Sequence, residues 1–280
     1  GQPTEMDFLI RLGIPEVQVS LERSPLNIGL VLDRSGSMSG SKLRKAKQAL
    51  NFCVDQLAPT DWVSIVIFDN KVDVLVPPVP GSERQRLEQA LAPVRSRGST
   101  ALHAAWVTGG KQVAQHLDPH YLNRVILVTD GLANVGEMNP EVIANQARHL
   151  FHHGISTTTI GVGNDFHEDL LVAMAREAGG NSWFVESPDD FQRIFEAEMG
   201  DILREVCTHV NLAIEPFGGV RLLDVLNDFD TTGTGAYQLP NLLAGEALDI
   251  VIRLFLPSGP IGSVPVFLAT VSWQVRGSQE

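Results

Sequence analysis

Between Asn27 and Gly40 the chain reads NIGLVLDRSGSMSG, and its chemistry lies in the second half. Asp33, Ser35 and Ser37 occupy alternate positions, so on an extended loop their side chains project to one side and their oxygens can converge. Gly36, between the serines, permits backbone angles that a Cβ would resist. Carboxylate and hydroxyl oxygens are hard ligands, suited to Mg²⁺ (or Mn²⁺ or Ca²⁺) rather than to zinc. Asp and Ser after a strand also serve as helix N-caps, and Ser39 or Ser41 is expected to cap the next helix in that way. For the alternating trio the metal reading is the stronger.

The residues that lead into this loop are Ile28, Leu30, Val31 and Leu32, an apolar run with β-branched members. Such a run suits a strand covered on both faces, as in a parallel sheet flanked by helices. The polar residues then fall at the strand's carboxyl end, the edge at which open α/β sheets bind ligands.

DRSGSM at 33–38 resembles the D-x-S-x-S signature of von Willebrand factor A domains and integrin I domains. The resemblance implies a metal ion-dependent adhesion site completed from two distant loops. Gly98-Ser99-Thr100-Ala101-Leu102 is similar to the loop that supplies a threonine ligand, and VILVTDG at 125–131 to the loop whose aspartate follows a buried strand. The implied ligand set is Asp33, Ser35, Ser37, Thr100 and Asp130, the hydroxyls binding directly and the aspartates directly or through water. Taken singly, Thr100 equally fits the N-cap of the helix it opens, and Asp130 a turn residue before Gly131.

Composition bounds the other readings. The 280 residues carry a formal net charge of −12, which argues against a nucleic-acid partner because phosphate binding needs a concentrated basic surface. The basic clusters Lys42 to Lys47 and Arg84 to Arg97 are interleaved with apolar positions and read as solvated helix faces. No apolar run reaches the length of a membrane span, and the first residues lack a signal-peptide profile, so a cytoplasmic location is expected unless a signal was removed. Two cysteines, Cys53 and Cys207, are too few for a disulfide framework, and Cys53 falls on the apolar side of a helix. The histidines at 103, 116, 120, 149, 152, 153 and 167 show no H-E-x-x-H spacing, and three of them sit near a helix end, where imidazolium is favoured.

An enzyme reading fares poorly. A phosphohydrolase of the haloacid dehalogenase kind would use Asp33 as nucleophile after the first strand. Ser35 stands where its second aspartate, the acid/base, is needed. Arg34-Ser35-Gly36 lacks the first glycine of a G-x-S-x-G elbow, and there is no P-loop.

Around the motifs, three- and four-residue apolar spacing predicts a helix from about residue 41 to 57, and WVSIVIF at 62–68 predicts a buried strand. A strand at 72–76 is expected to be broken by PPVP; the resemblance implies that it runs antiparallel at the sheet edge. Further helices are expected at 83–91, 100–117, 140–153, 167–178 and 188–206, with strands at 123–129, 157–162 and 182–185. Alternating strands and helices over 25–206 predict an α/β fold, a doubly wound, mostly parallel sheet flanked by helices.

From Thr208 the period changes to two, with strands expected at 209–215, 220–225, 248–256 and 264–275. EMDFLIRLG and the alternating EVQVSLERS before residue 25 would complete a β-sandwich. The expected domains are therefore 25–206, similar to a von Willebrand A domain, inserted in a smaller all-β sandwich formed by 1–24 plus 207–280. The resemblance implies metal-dependent protein binding, in which the ion accepts an exposed Asp or Glu of a partner protein as its last ligand. Bacterial relatives serve with MoxR-type AAA+ ATPases or other assembly machinery, and animal relatives in adhesion. The sequence does not choose between them. The alternative function is a structural module whose ion only stabilises the fold.

Overall fold

The computed structural model describes residues 2–15, 25–130, 135–163, 167–259, 262 and 264–275. They belong to two compact units, one of Gly1–Glu22 with Arg204–Glu280 and the other of Arg23–Leu203. The chain opens on strand β1 (Thr4–Gly13) of the first unit. It then builds β2 (Leu26–Asp33), α1 (Ser41–Asp55), β3 (Trp62–Phe68), β4 (Val72–Pro80), α2 (Arg84–Leu91) and α3 (Leu102–Ala114). The second unit continues with β5 (Leu122–Thr129), α4 (Pro140–His152), β6 (Ser156–Val162), α5 (Glu168–Glu177), β7 (Ser182–Val185) and α6 (Phe191–Arg204).

These strands form a six-stranded sheet in the order β4-β3-β2-β5-β6-β7. Every neighbouring pair is parallel except β3 and β4. All eight residues of β2 and of β5 are buried, because helices cover both faces. Ile28, Leu30 and Leu32 of β2 point into one core, with α1, α2 and α6. Val31 points into the other, shared with α3, α4 and α5. Helix α3 approaches the sheet closely through Gly109, where a Cβ would stand 2.4 Å from Val31 Cγ2. β4 runs on to Pro80 instead of breaking at PPVP, since an edge strand has no outer neighbour that needs the missing proline amides.

The other unit adds β8 (Glu205–Pro216), β9 (Arg221–Val225), β10 (Tyr237–Gln238), β11 (Leu242–Leu243), β12 (Ala247–Leu256) and β13 (Phe267–Val275) to β1. One sheet has the order β1-β12-β9; the other is β10-β8-β11, with β13 also paired to β8. Val210 and Leu212 of β8 share one core with Ile250, Ile252 and Leu254 of β12, packed by Phe8 and Ile10 of β1 and Val271 of β13. The two sheets are thus the layers of a sandwich built from chain on both sides of the α/β unit. β1 pairs antiparallel with β12 along its whole length, Thr4 opposite Leu256 through Gly13 opposite Ala247. The EVQVSLERS strand expected at 16–24 lies outside the described residues. β8 starts at Glu205, directly after α6, so the helix ends at Arg204 and not at Val206. His209, with a positive φ of 52°, lies where the β8 and β13 register slips by a residue.

Candidate metal centre

β2 and β5 are adjacent and parallel, with Leu32 opposite Val128, so the residues that follow them emerge side by side at one edge of the sheet. Asp33 is wholly buried and Asp130 nearly so. Asp33 Oδ1 accepts the backbone N–H of Ser35 at 2.7 Å, and its Oδ2 accepts the hydroxyl of Thr129 at 2.6 Å. The Ser35 and Ser37 hydroxyls are 3.0 Å apart, and Ser37 donates to Asp130 Oδ1 at 2.7 Å. Four of the five expected ligands therefore stand in one hydrogen-bonded line.

Thr100, the fifth, is buried on a loop that is stitched to the first. Gly36 N–H donates to Gly98 C=O at 3.1 Å, and Arg97 N–H to Arg34 C=O at 2.7 Å. Gly98 has a φ of +72°, a conformation that side chains rarely adopt, and a Cβ there would also displace Asn70 Oδ1, which stands 2.7 Å away. The N-cap of α3 is Ala101, without a side-chain capping bond, so Thr100 is not that helix's cap. Nor do Ser39 or Ser41 cap α1. That N-cap is Gly40, in a positive-φ conformation that starts the helix by backbone geometry alone, and Ser41 is already its first residue.

Burial is the main influence on the Asp33 carboxyl and pushes it up from its usual 3.8 to about 6. The bonds from Thr129 and Ser35 pull the other way, and the Asp130 charge pushes it further up. Two carboxylates at one dry sheet edge, with only hydroxyls and amides around one of them, are in the electrostatic situation that a divalent cation relieves. The donor set of two carboxylates and three hydroxyls fits a hard, oxygen-seeking ion. Among the described residues no three His, Cys, Asp or Glu side chains are grouped to hold a metal, so the hydroxyls are essential to any such site.

Sequence reasoning missed the residues that brace these loops. Asp69, just past β3, is fully buried and accepts from Arg34 Nε at 2.9 Å, Arg97 Nε at 2.8 Å and the Lys71 N–H at 2.8 Å. Its own carbonyl accepts the Ala101 N–H. Burial pushes its carboxyl up, but the bonds from Arg97 and Lys71 and the Arg34 and Arg97 charges prevail and hold it below the usual range. Arg34 also pairs with Asp73. Asp69 follows a buried strand just as Asp33 does, and that shared position was the available signal. The basic clusters are likewise more than solvated faces: Lys42 Nζ contacts Asp130 Oδ2 at 2.6 Å, and Lys47 Nζ donates to Ala92 C=O at 2.8 Å. Cys53 is core, and His149 and His152 lie in the last turn of α4.

A family profile described as the von Willebrand factor type A domain matches residues 27–197, from the first residues of β2 into α6. The chain belongs to this family. The uncharacterized protein YfbK of Escherichia coli is 28% identical over 191 residues, which cover 68% of this chain and 33% of YfbK. The chain thus spans about a third of that relative. A solved von Willebrand factor type A protein from Catenulispora acidiphila superposes over 99% of this chain and 71% of its own, with a TM-score of 0.73 at 16% identity, so the shared fold includes the sandwich. Proximal thread matrix protein 1 of the mussel byssus, with a zinc-occupied MIDAS motif, covers 67% of this chain and 50% of its own at a TM-score of 0.55 and 20% identity. Type A domains often bind a metal ion at this adhesion site and mediate contacts between proteins.

Proposed function

We propose that this type A domain is a metal-dependent protein-binding module and not an enzyme. Asp33, Ser35, Ser37, Thr100 and Asp130 would hold one Mg²⁺, or Mn²⁺ or Ca²⁺ in its place, and an exposed Asp or Glu of a partner protein would be the ion's last ligand. The observation that carries this reading is the line from Asp33 through Ser35 and Ser37 to Asp130, with contacts of 2.7 to 3.0 Å at the carboxyl ends of two adjacent parallel strands. The bound ion would supply a positive charge able to accept a carboxylate; the chain's own part is to hold its oxygens converged, dry and braced. In this reading the unit Arg23–Leu203 is the binding domain, and Gly1–Glu22 with Arg204–Glu280 form the accessory sandwich, so the boundary falls at the end of α6 and not at residue 206. A MoxR-type ATPase system is one class of partner compatible with it.

Calorimetry with Mg²⁺ and Mn²⁺, followed by capture of partners from the native source with and without EDTA, tests the proposal. Wild type is expected to bind one ion per chain, and Asp33→Ala with Asp130→Ala to bind none. Undiminished binding in the double variant, or capture insensitive to chelator and to Thr100→Ala, would overturn it.

A further inference from the structure

Lys42 sits in the first turn of α1, where the positive end of the helix dipole disfavours a cation, and that turn carries no acidic side chain to offset it. Its ammonium nevertheless reaches Asp130 Oδ2 at 2.6 Å, and the Asp130 side chain is fully buried while the lysine's is one-third exposed. The contact is housed by the turn after β6. A Cβ on Gly163 would stand 3.3 Å from the same Nζ, and Gly163 has a φ of +83°. Asp130's other oxygen takes the Ser37 hydroxyl, so one carboxylate joins the ammonium to the proposed ligand line.

The consequence is a matter of charge. Asp33 and Asp130 ionised, with Lys42 protonated, leave this cluster with one net negative charge. A divalent ion among the same oxygens would make it positive by one. Without Lys42 the cluster would be doubly negative alone, and neutral with the ion.

We propose that Lys42 trades cation affinity for anion affinity. It repels the incoming divalent ion and competes for Asp130, and once the ion is held it leaves the centre with the positive charge that draws a partner's carboxylate. This inference rests on reading the site as a metal centre, and it assigns Lys42 the tuning of that centre, not a ligand's role. Removing one unit charge a few ångströms away at a partly exposed site is worth roughly tenfold to a hundredfold in either equilibrium.

The test compares wild type, Lys42→Met and Lys42→Arg. Mn²⁺ affinity is measured by the electron paramagnetic resonance of free Mn²⁺, and acetate binding to the Mn²⁺-loaded protein by water proton relaxation. Lys42→Met is expected to bind Mn²⁺ at least tenfold more tightly and acetate at least tenfold more weakly, and Lys42→Arg to restore both. In EDTA the Met variant should also melt below wild type, because Asp130 loses its cation, and Mn²⁺ should raise its melting temperature by more. Equal Mn²⁺ affinities, or changes of the same sign in both equilibria, overturn the inference and leave the metal reading standing. Absence of Mn²⁺ binding in every variant overturns the metal reading and the inference with it.

Discussion

Asp33 is the residue on which the site's own energetics turn. Its carboxyl titrates near 6 in the folded chain against 3.8 ordinarily, so between those values the folded state holds the extra proton. The stability this contributes is fully present below about pH 4 and is lost as pH rises through about 6. The difference between 3.8 and about 6 corresponds to about 3 kcal/mol, the cost of keeping an ionised carboxylate dry at neutral pH. Asp33→Asn keeps the size and discards the charge. Chemical denaturation in EDTA at pH 4.5 and 7.5 should show wild type losing about 2 kcal/mol relative to the variant, the rest of the loss having occurred below pH 4.5, and excess Mg²⁺ at pH 7.5 should return much of it. Parallel pH dependences for the two proteins would contradict the assignment.

At the level of elements, α6 is held to the sheet by a polar cluster and not by apolar packing alone. Glu198 is wholly buried on the helix and meets Arg124 Nη1, itself buried at the start of β5, at 3.1 Å. The same carboxylate accepts from Thr158 at 2.6 Å, Asn181 at 2.9 Å and the Trp183 indole at 2.7 Å. These donors come from β5, from β6 and from the start of β7, so the helix has one register in which all are satisfied. Truncating Glu198 takes the carboxylate away from the buried Arg124 guanidinium, whose Nε keeps the neutral Ser156 hydroxyl, and from Thr158, Asn181 and Trp183 as well. Glu198→Ala is therefore expected to cost about 3–5 kcal/mol in urea denaturation. A loss within about 0.5 kcal/mol, as at an ordinary surface position, would show that the cluster does not fix the helix.

For the molecule as a whole, the chain order has a consequence for stability. The sandwich draws β1 from the start of the chain and its other strands from beyond Arg204. β1 covers all ten residues of β12 and contributes Phe8, Ile10 and Leu12 to the sandwich core. Deleting residues 1–15 should raise hydrogen exchange by at least tenfold across 247–256 while leaving 26–33 and 122–129 protected, since strand exposure is local to the unit that loses its neighbour. Loss of protection in the parallel sheet first would mean that the division into units misplaces β1.

What the sequence determined by itself was whatever rests on neighbours along the chain. The apolar run before Asp33 and the change from mixed periods to a period of two near residue 208 are local patterns, and each maps onto elements. The loop that carries Asp33, Ser35 and Ser37 was legible, but not its form: Gly36–Met38 is a 3-10 turn and not an extended segment, Gly36 has no positive φ, and the Ser35 and Ser37 hydroxyls meet across that turn. The two-residue strands β10 and β11 were too short to show a period. PPVP reads as a breaker even in a strand expected at the sheet edge, yet β4 runs through it to Pro80, because its outer side has no neighbour to use the missing amides. Tertiary structure alone decided which long side chains meet: Lys42 with Asp130, Arg34 and Arg97 with Asp69, Arg124 with Glu198. A lysine or arginine in a helix or loop has the same local signature whether its charge ends in water or on a carboxylate far along the chain. Its partner is chosen by the strand order that brings those loops to a common edge, and strand order is a property of the assembled sheet.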